Sequence, residues 1–191
     1  MEQAVSTQKR KIRWFEMVFF LFFVLGIILA NLFKESQMNQ YGVINSYFIQ
    51  QLKYIEIRGG DFLVYIISKR IPLLVFLCVL GMTALCRTVH GCFLAWAGFS
   101  LGFLCVAAIR NMGAGAVGLI MLSLFPHYLF YGAGYGILLH MQRQYQEDLC
   151  KRPRLEWCAV WGVVAMLFLL GMLSEAYINP PLCQFFLKKF Q

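Results

Sequence analysis

The chain has 191 residues, 60% hydrophobic and 14% charged, and its 17 Lys and Arg against 9 Asp and Glu give a net charge of +8. Soluble domains run at about 45–50% apolar and about 25% charged, so this chain holds more apolar surface than a globule of its size can hide, and a lipid bilayer is the solvent it fits. Disorder is excluded by the same numbers, and the basic residues flank apolar runs instead of forming a stripe interleaved with aromatics, which excludes nucleic acid as the expected partner.

The first apolar run spans about 14–33, with Glu16 near its start and Lys9, Arg10, Lys11 and Arg13 before it. Its core from Met17 is longer than the apolar region of a signal peptide and no small-x-small cleavage site follows, so it reads as an uncleaved signal anchor. In the segment from Lys34 to Arg70, Val43, Ile44, Tyr47, Phe48, Leu52 and Ile55 recur at helical spacing, with Gln50, Gln51 and Lys53 between them. That pattern predicts an amphipathic helix, lying on the membrane surface or packed on the end of the bundle. Gly59 and Gly60 are expected to stop it, and Asp61 is positioned to cap the next helix.

The second run, about 71–85, rises only about 23 Å, short of the roughly 30 Å hydrocarbon core. It is expected to recruit part of Phe62 to Ile67, with Lys69 and Arg70 snorkelling to the interface and Pro72 kinking the helix or marking its first turn. The third run, about 92–109, is broken only by Ser100. The fourth, about 114–139, is interrupted by Pro126 and His127, where a bend or break and a freed carbonyl near Leu122 are predicted. The fifth, about 157–176, is polar only near its end, at Ser174 and Glu175, and Pro180 and Pro181 are expected to end it. The chain thus reads as a single all-α integral membrane domain over 1–191. It is a polytopic bundle of about five transmembrane helices with an external amphipathic segment between helices 1 and 2.

Five spans place the termini on opposite sides. With the N-terminus cytoplasmic and the C-terminus external, the cytoplasmic segments 1–13, 86–91 and 142–156 hold nine of the 17 basic residues in 34 positions. The external segments 34–70, 110–113 and 177–191 hold eight in 56, so the denser basic side is the cytoplasm, as the positive-inside rule requires.

His127 is the most conspicuous polar residue, beside a proline that removes one backbone hydrogen bond. An ionisable group in mid-span marks a functional site by default. The alternative is structural: its ring nitrogens satisfy backbone groups freed by Pro126. His90 and His140 lie near span ends, and three scattered histidines do not form a metal site. The seven cysteines (Cys78, Cys86, Cys92, Cys105, Cys150, Cys158 and Cys183) include no C-x-x-C pair and are odd in number, so they read as small packing residues and not as a disulfide framework or a zinc site. Glu16 and Glu175 lie near span ends on opposite faces, where each can reach the interface or pair with a basic neighbour; they are too far apart for joint acid–base work, and no Ser-x-x-Lys, Gly-x-Ser-x-Gly or His-Glu-x-x-His pattern appears. No catalytic residue and no cofactor is expected. Small residues recur: Gly26 and Ala30 in the first span, Gly98 and Gly102 in the third, Gly132 and Gly136 in the fourth. Gly-x-x-x-Gly lets helix backbones approach closely, either inside one bundle or against another membrane protein.

The fifth span ends Ser174-Glu175-Ala176-Tyr177-Ile178-Asn179-Pro180-Pro181. Glu-Ala-Tyr-Ile-Asn-Pro resembles the final-helix signature of the stage II sporulation protein M family, where an aromatic Glu-Ala-Tyr or Glu-Ala-Phe stretch leads into Ser-Pro, Thr-Pro or Asn-Pro. Phe125-Pro126-His127, the Gly-rich third span, the five-span plan and the external segment after span one also resemble that family, over essentially the whole chain. Broader members often follow Pro-His with Gly and later carry Glu in the same span. Here Tyr128 and Tyr131 stand at those places, and no role that needs that Glu carries over. The resemblance implies a protein of the septal membrane of an endospore-forming bacterium, part of the engulfment machinery with the peptidoglycan-degrading stage II sporulation proteins D and P. It implies an anchor and scaffold, not a hydrolase. The rival reading is a small transporter with a broken-helix site at Pro126 and His127.

Overall fold

A computed structural model of the chain describes residues 2–33, 58–113, 115–147 and 154–190. Every element among them is an α-helix: α1 (Glu2–Leu32), α2 (Gly59–Gly81), α3 (Cys86–Met112), α4 (Gly115–Glu147), α5 (Arg154–Tyr177) and α6 (Asn179–Phe190). Five stretches are long and apolar enough to cross a membrane: Trp14–Leu32, Gly59–Gly81, Cys86–Met112, Gly115–Tyr145 and Cys158–Lys189. The all-α, five-span reading holds. The amphipathic segment, Cys150 and the basic cluster at Lys151 and Arg152 lie outside the described residues.

The second span differs from expectation at both ends. Helix α2 begins at Gly59 and stops at Gly81, so Pro72 is internal and Lys69 and Arg70 sit at mid-helix. The two glycines open this helix; its N-cap residue is Arg58, which makes no side-chain capping bond, and Asp61 lies in the first turn. A carboxylate there still favours the helix through its dipole. After Gly81 the chain turns, with the Thr83 hydroxyl donating to the Leu80 carbonyl at 2.6 Å.

The fourth span is not broken at Pro126, where a bend or break is predicted. Helix α4 runs unbroken through Pro126. The interruption falls instead in the last span, where α5 ends at Tyr177 and α6 starts at Asn179. Pro180 and Pro181 therefore begin a helix as well as closing one. Proline suits a first helical turn because the amides there have no intrahelical partner to lose. Two bonds bridge the interruption, Ile178 N–H to Ser174 C=O at 3.0 Å and Leu182 N–H to Ile178 C=O at 3.3 Å. The carbonyls of Ala176 and Tyr177 have no amide four residues on, because proline carries none.

The chain forms two compact units. The first comprises Met1–Phe48 and His90–Val117. In it α1 and α3 run parallel, since Gly91 faces Trp14, Gly98 faces Phe19 and Gly102 faces Phe23. Ala30 packs on Ala107 further along, and the Arg110 guanidinium donates to the Phe33 carbonyl at 2.9 Å at the far end. Gly113, at φ 65°, closes α3 in the left-handed conformation that an added Cβ penalises, its amide returning to Ile109 C=O at 2.7 Å.

The second unit comprises Ile49–Val89 and Gly118–Gln191. There α2 and α5 are antiparallel: Ile66 packs with Met172 and Ala176, while Leu74 and Cys78 pack on the cluster that holds Val164. Helix α4 is antiparallel to α5 and α6 together, with Gly134 on Phe168, Gly171 on Tyr131 and Gly118 on Phe186. These directions are those that successive membrane crossings demand. Residues 179–190, expected as an external tail, are thus a helix packed along α4, with Cys183 and Leu187 buried.

Candidate functional site

Polar side chains converge in the second unit where α5 gives way to α6. Arg70 projects from the middle of α2 and forms a forked pair with Glu175, Nη2 to Oε1 at 2.7 Å and Nε to Oε2 at 3.2 Å. The Tyr131 hydroxyl donates to the same Oε2 at 2.7 Å. The Arg70 guanidinium also lies 5.3 Å from the centre of the Tyr131 ring, within cation–π range. An unpaired charge at this depth would cost several kcal/mol, and a bidentate pair with a third donor is the arrangement that offsets such a penalty. Local sequence makes room for it: a Cβ at residue 171 would come within 2.5 Å of the Tyr131 ring, so Gly171 is what lets the tyrosine lie across α5.

One turn away, Asn179 reaches back from the start of α6 to α4. Its Nδ2 donates to the Ser123 carbonyl at 2.6 Å and lies 2.6 Å from His127 Nδ1. The Ser123 carbonyl is four residues before His127, in the stretch that Pro126 perturbs. The carbonyl that Pro126 deprives of its amide is the one before it, that of Leu122, so Asn179 does not replace the lost bond; it ties the Ser123 carbonyl and His127 to α6. The imidazole stacks edge-on against Tyr128 and Tyr131, with centroids 4.9 and 5.6 Å away. Two buried side-chain oxygens nearby have no hydrogen-bond partner, Ser174 Oγ and Asn179 Oδ1. The Ser123 hydroxyl donates to the Ile120 carbonyl at 3.0 Å. None of these bonds joins a serine or cysteine nucleophile to a base. Among the described residues no group of three His, Cys, Asp or Glu is arranged to hold a metal ion.

Of the residues singled out from sequence, His127, Glu175, Asn179, Pro126 and Pro180 come together here. Of the two options open to Glu175, pairing with a basic residue is the one found: it faces mid-α2 and lies within the apolar stretch Cys158–Lys189. Gly98 and Gly102 belong elsewhere, in the first unit, where an added Cβ would collide with the Phe19 and Phe23 carbonyl oxygens. Gly132 and Gly136 are open: among the described residues, no atom lies within 4 Å of a Cβ added at either. Sequence reasoning missed Arg70 and Tyr131 as members of the site. The available signal was an acidic residue in an apolar run, which demands a cation and a hydroxyl at matching depth.

A second polar contact is purely structural. Gln142 of α4 is fully buried and donates through Nε2 to the Leu77 and Cys78 carbonyls at 3.1 and 3.2 Å, satisfying acceptors in the last turns of α2.

Compared with known proteins, the chain matches no family model, no curated protein and no solved structure.

Proposed function

We propose that the protein is a membrane scaffold that anchors peptidoglycan-degrading partners at the sporulation septum during engulfment. The observation that carries this reading is how the signature residues are used. Glu175 and Asn179, the polar members of the Glu-Ala-Tyr-Ile-Asn-Pro stretch, each tie the last span to other helices, to Arg70 and Tyr131 in one case and to Ser123 and His127 in the other. The signature thus acts as a clamp that rigidifies a platform, and its charges neutralise one another instead of addressing a substrate. The identity of the partners, stage II sporulation proteins D and P, rests on the sequence resemblance alone, as do the cytoplasmic N-terminus and external C-terminus on the basic-residue bias.

The test is co-purification of the tagged full-length protein from sporulating cells. The expected result is recovery of wall hydrolases, lost when the external segment 34–57 is replaced by a polar linker. Recovery of no wall hydrolase, or peptidoglycan cleavage by the partner-free protein, would sink the scaffold reading.

A transporter is the second reading, moved from Pro126 to the last span. Discontinuous helices in mid-span offer freed carbonyls to a substrate or ion, and here the α5–α6 interruption lies beside the buried, unpartnered Ser174 Oγ and Asn179 Oδ1. Solute flux in reconstituted vesicles, abolished by His127→Ala, favours it over the scaffold.

A further inference from the structure

The bond between α6 and α4 dictates the protonation state of His127. The Ser123 carbonyl can only accept, so the Asn179 side-chain atom 2.6 Å from it must be the amide nitrogen. That nitrogen has two protons, one for each of its two neighbours. Since it also lies 2.6 Å from His127 Nδ1, that ring nitrogen must accept, and the imidazole is neutral with its proton on Nε2.

A charged imidazole carries protons on both nitrogens and would set Nδ1–H against the Asn179 NH2, donor against donor. Rotating the amide would present Oδ1 to Nδ1–H, and Oδ1 is buried without a partner, ready to accept. The same rotation turns Oδ1 against the Ser123 carbonyl, acceptor against acceptor. Asn179 cannot hold both α4 contacts once His127 is charged.

The groups around the ring come from every neighbouring element: Arg70 from α2, Tyr128 and Tyr131 from α4, Glu175 from α5 and Asn179 from α6. Arg70 and Glu175 are paired with each other, so neither sign of charge dominates around the imidazole. The histidine is 5% exposed.

We propose that His127 is a proton-binding site that latches α6 to α4 when empty and releases it when occupied. The ligand is the proton, and what it controls is the docking of the terminal helix that carries Lys188 and Lys189. The inference stands on the hydrogen-bond geometry and is independent of the scaffold reading.

Cys183 reports on the latch, being 8% exposed on α6, and Cys158, exposed on α5, is an internal standard. The experiment treats the full-length protein in lipid nanodiscs with a dithiodipyridine, which reacts with thiols in acid as well as at neutral pH, and reads both sites by mass spectrometry. The Cys183 to Cys158 labelling ratio is expected to rise roughly tenfold between the neutral-ring and charged-ring forms, as the medium is acidified from about pH 8 to about pH 4. In His127→Asn an amide oxygen sits near the position of Nδ1 and cannot titrate, while Glu175 is untouched, so the ratio is expected to stay flat. A flat wild-type ratio, or an equal rise in His127→Asn, overturns the proposal. Should His127→Asn fail to fold, nitrogen NMR of histidine-labelled wild type decides. A neutral ring with Nε2–H at about pH 8 supports the latch, and Nδ1–H or a charged ring overturns it.

Discussion

The two units of this chain hold their helices together by different means. In the first, α1 and α3 meet backbone to backbone: Gly26 faces the Phe99 carbonyl, and Gly98 and Gly102 face those of Phe19 and Phe23. Lipid tails are as apolar as leucine, so hydrophobicity does not draw membrane helices together, and close packing through small residues does. In the second unit, polar cross-links between four helices add to the packing. Arg70 joins Glu175 and Tyr131, Asn179 joins Ser123 and His127, and Gln142 joins Leu77 and Cys78. Such links fix register and depth, because each polar atom has one low-energy place, whereas a glycine groove tolerates sliding. Identical Gly-x-x-x-Gly spacing therefore means different things within one chain. The copy in α3 is filled by α1, and the copy in α4, Gly132 to Gly136, meets nothing among the described residues.

The most severe break is expected at Gly102→Leu or Gly98→Leu. The new side chain would have to displace backbone, which cannot move out of the way as a flexible side chain would. The expected loss is about 3 kcal/mol or more, at the upper end of overpacking effects, read as reduced abundance and a lowered unfolding midpoint in detergent. A partner-free protein of normal stability carrying either substitution would mean that α1 does not pack on that face.

Glu175→Gln comes next. The amide still accepts from Tyr131 but leaves the Arg70 charge unmatched, at an expected cost of about 2–4 kcal/mol. That lies at or below the range for a fully buried pair because the Arg70 side chain is 38% exposed, against 17% for Glu175. Adding Arg70→Met should restore much of the stability, since it removes the stranded charge. A double-mutant cycle with no coupling would show that the pair does not hold α2 to α5.

Tyr131→Phe removes one hydroxyl and leaves the ring, the Arg70 contact and the Gly171 cleft in place. The expected loss is about 1–2 kcal/mol, for one hydrogen bond to a charged acceptor, measured by the same unfolding assay.

The smallest effect on stability is expected from Gly132→Leu or Gly136→Leu, within about 0.5 kcal/mol, because the added side chain meets open space. Their value is functional. Normal abundance with loss of co-purifying hydrolases would identify this face as the shared one, and normal recovery would assign partner contacts elsewhere.

The site was half legible in the sequence. His127, Glu175, Asn179 and Pro180 stand out because polar residues and prolines are conspicuous in apolar runs. Arg70 was legible as a charge but not as a mid-span one. A lysine–arginine pair before an apolar run looks the same whether it snorkels to an interface or meets a carboxylate, and only the approach of Glu175 from another helix decides between them. Pro126 misled for a related reason. A single proline removes one amide from a helix, and the turns on either side carry α4 through it. Here the one missing amide is the partner of the Leu122 carbonyl, while the Asn179 amide bonds the next carbonyl, that of Ser123. At Pro180 and Pro181 two consecutive amides are missing, and the helix divides.

By itself the sequence determined the class and the count: apolar runs of membrane-spanning length force helices, since an unpaired backbone has no partner in hydrocarbon. It also fixed which residues could take part in a polar cluster. What only the tertiary structure decided is which of them meet. Glu175 could have faced an interface, a loop or a lipid headgroup, and local sequence is silent on that choice. The energy that selects Arg70 and Tyr131 is electrostatic and arises only when helices far apart in sequence bring opposite charges to the same depth.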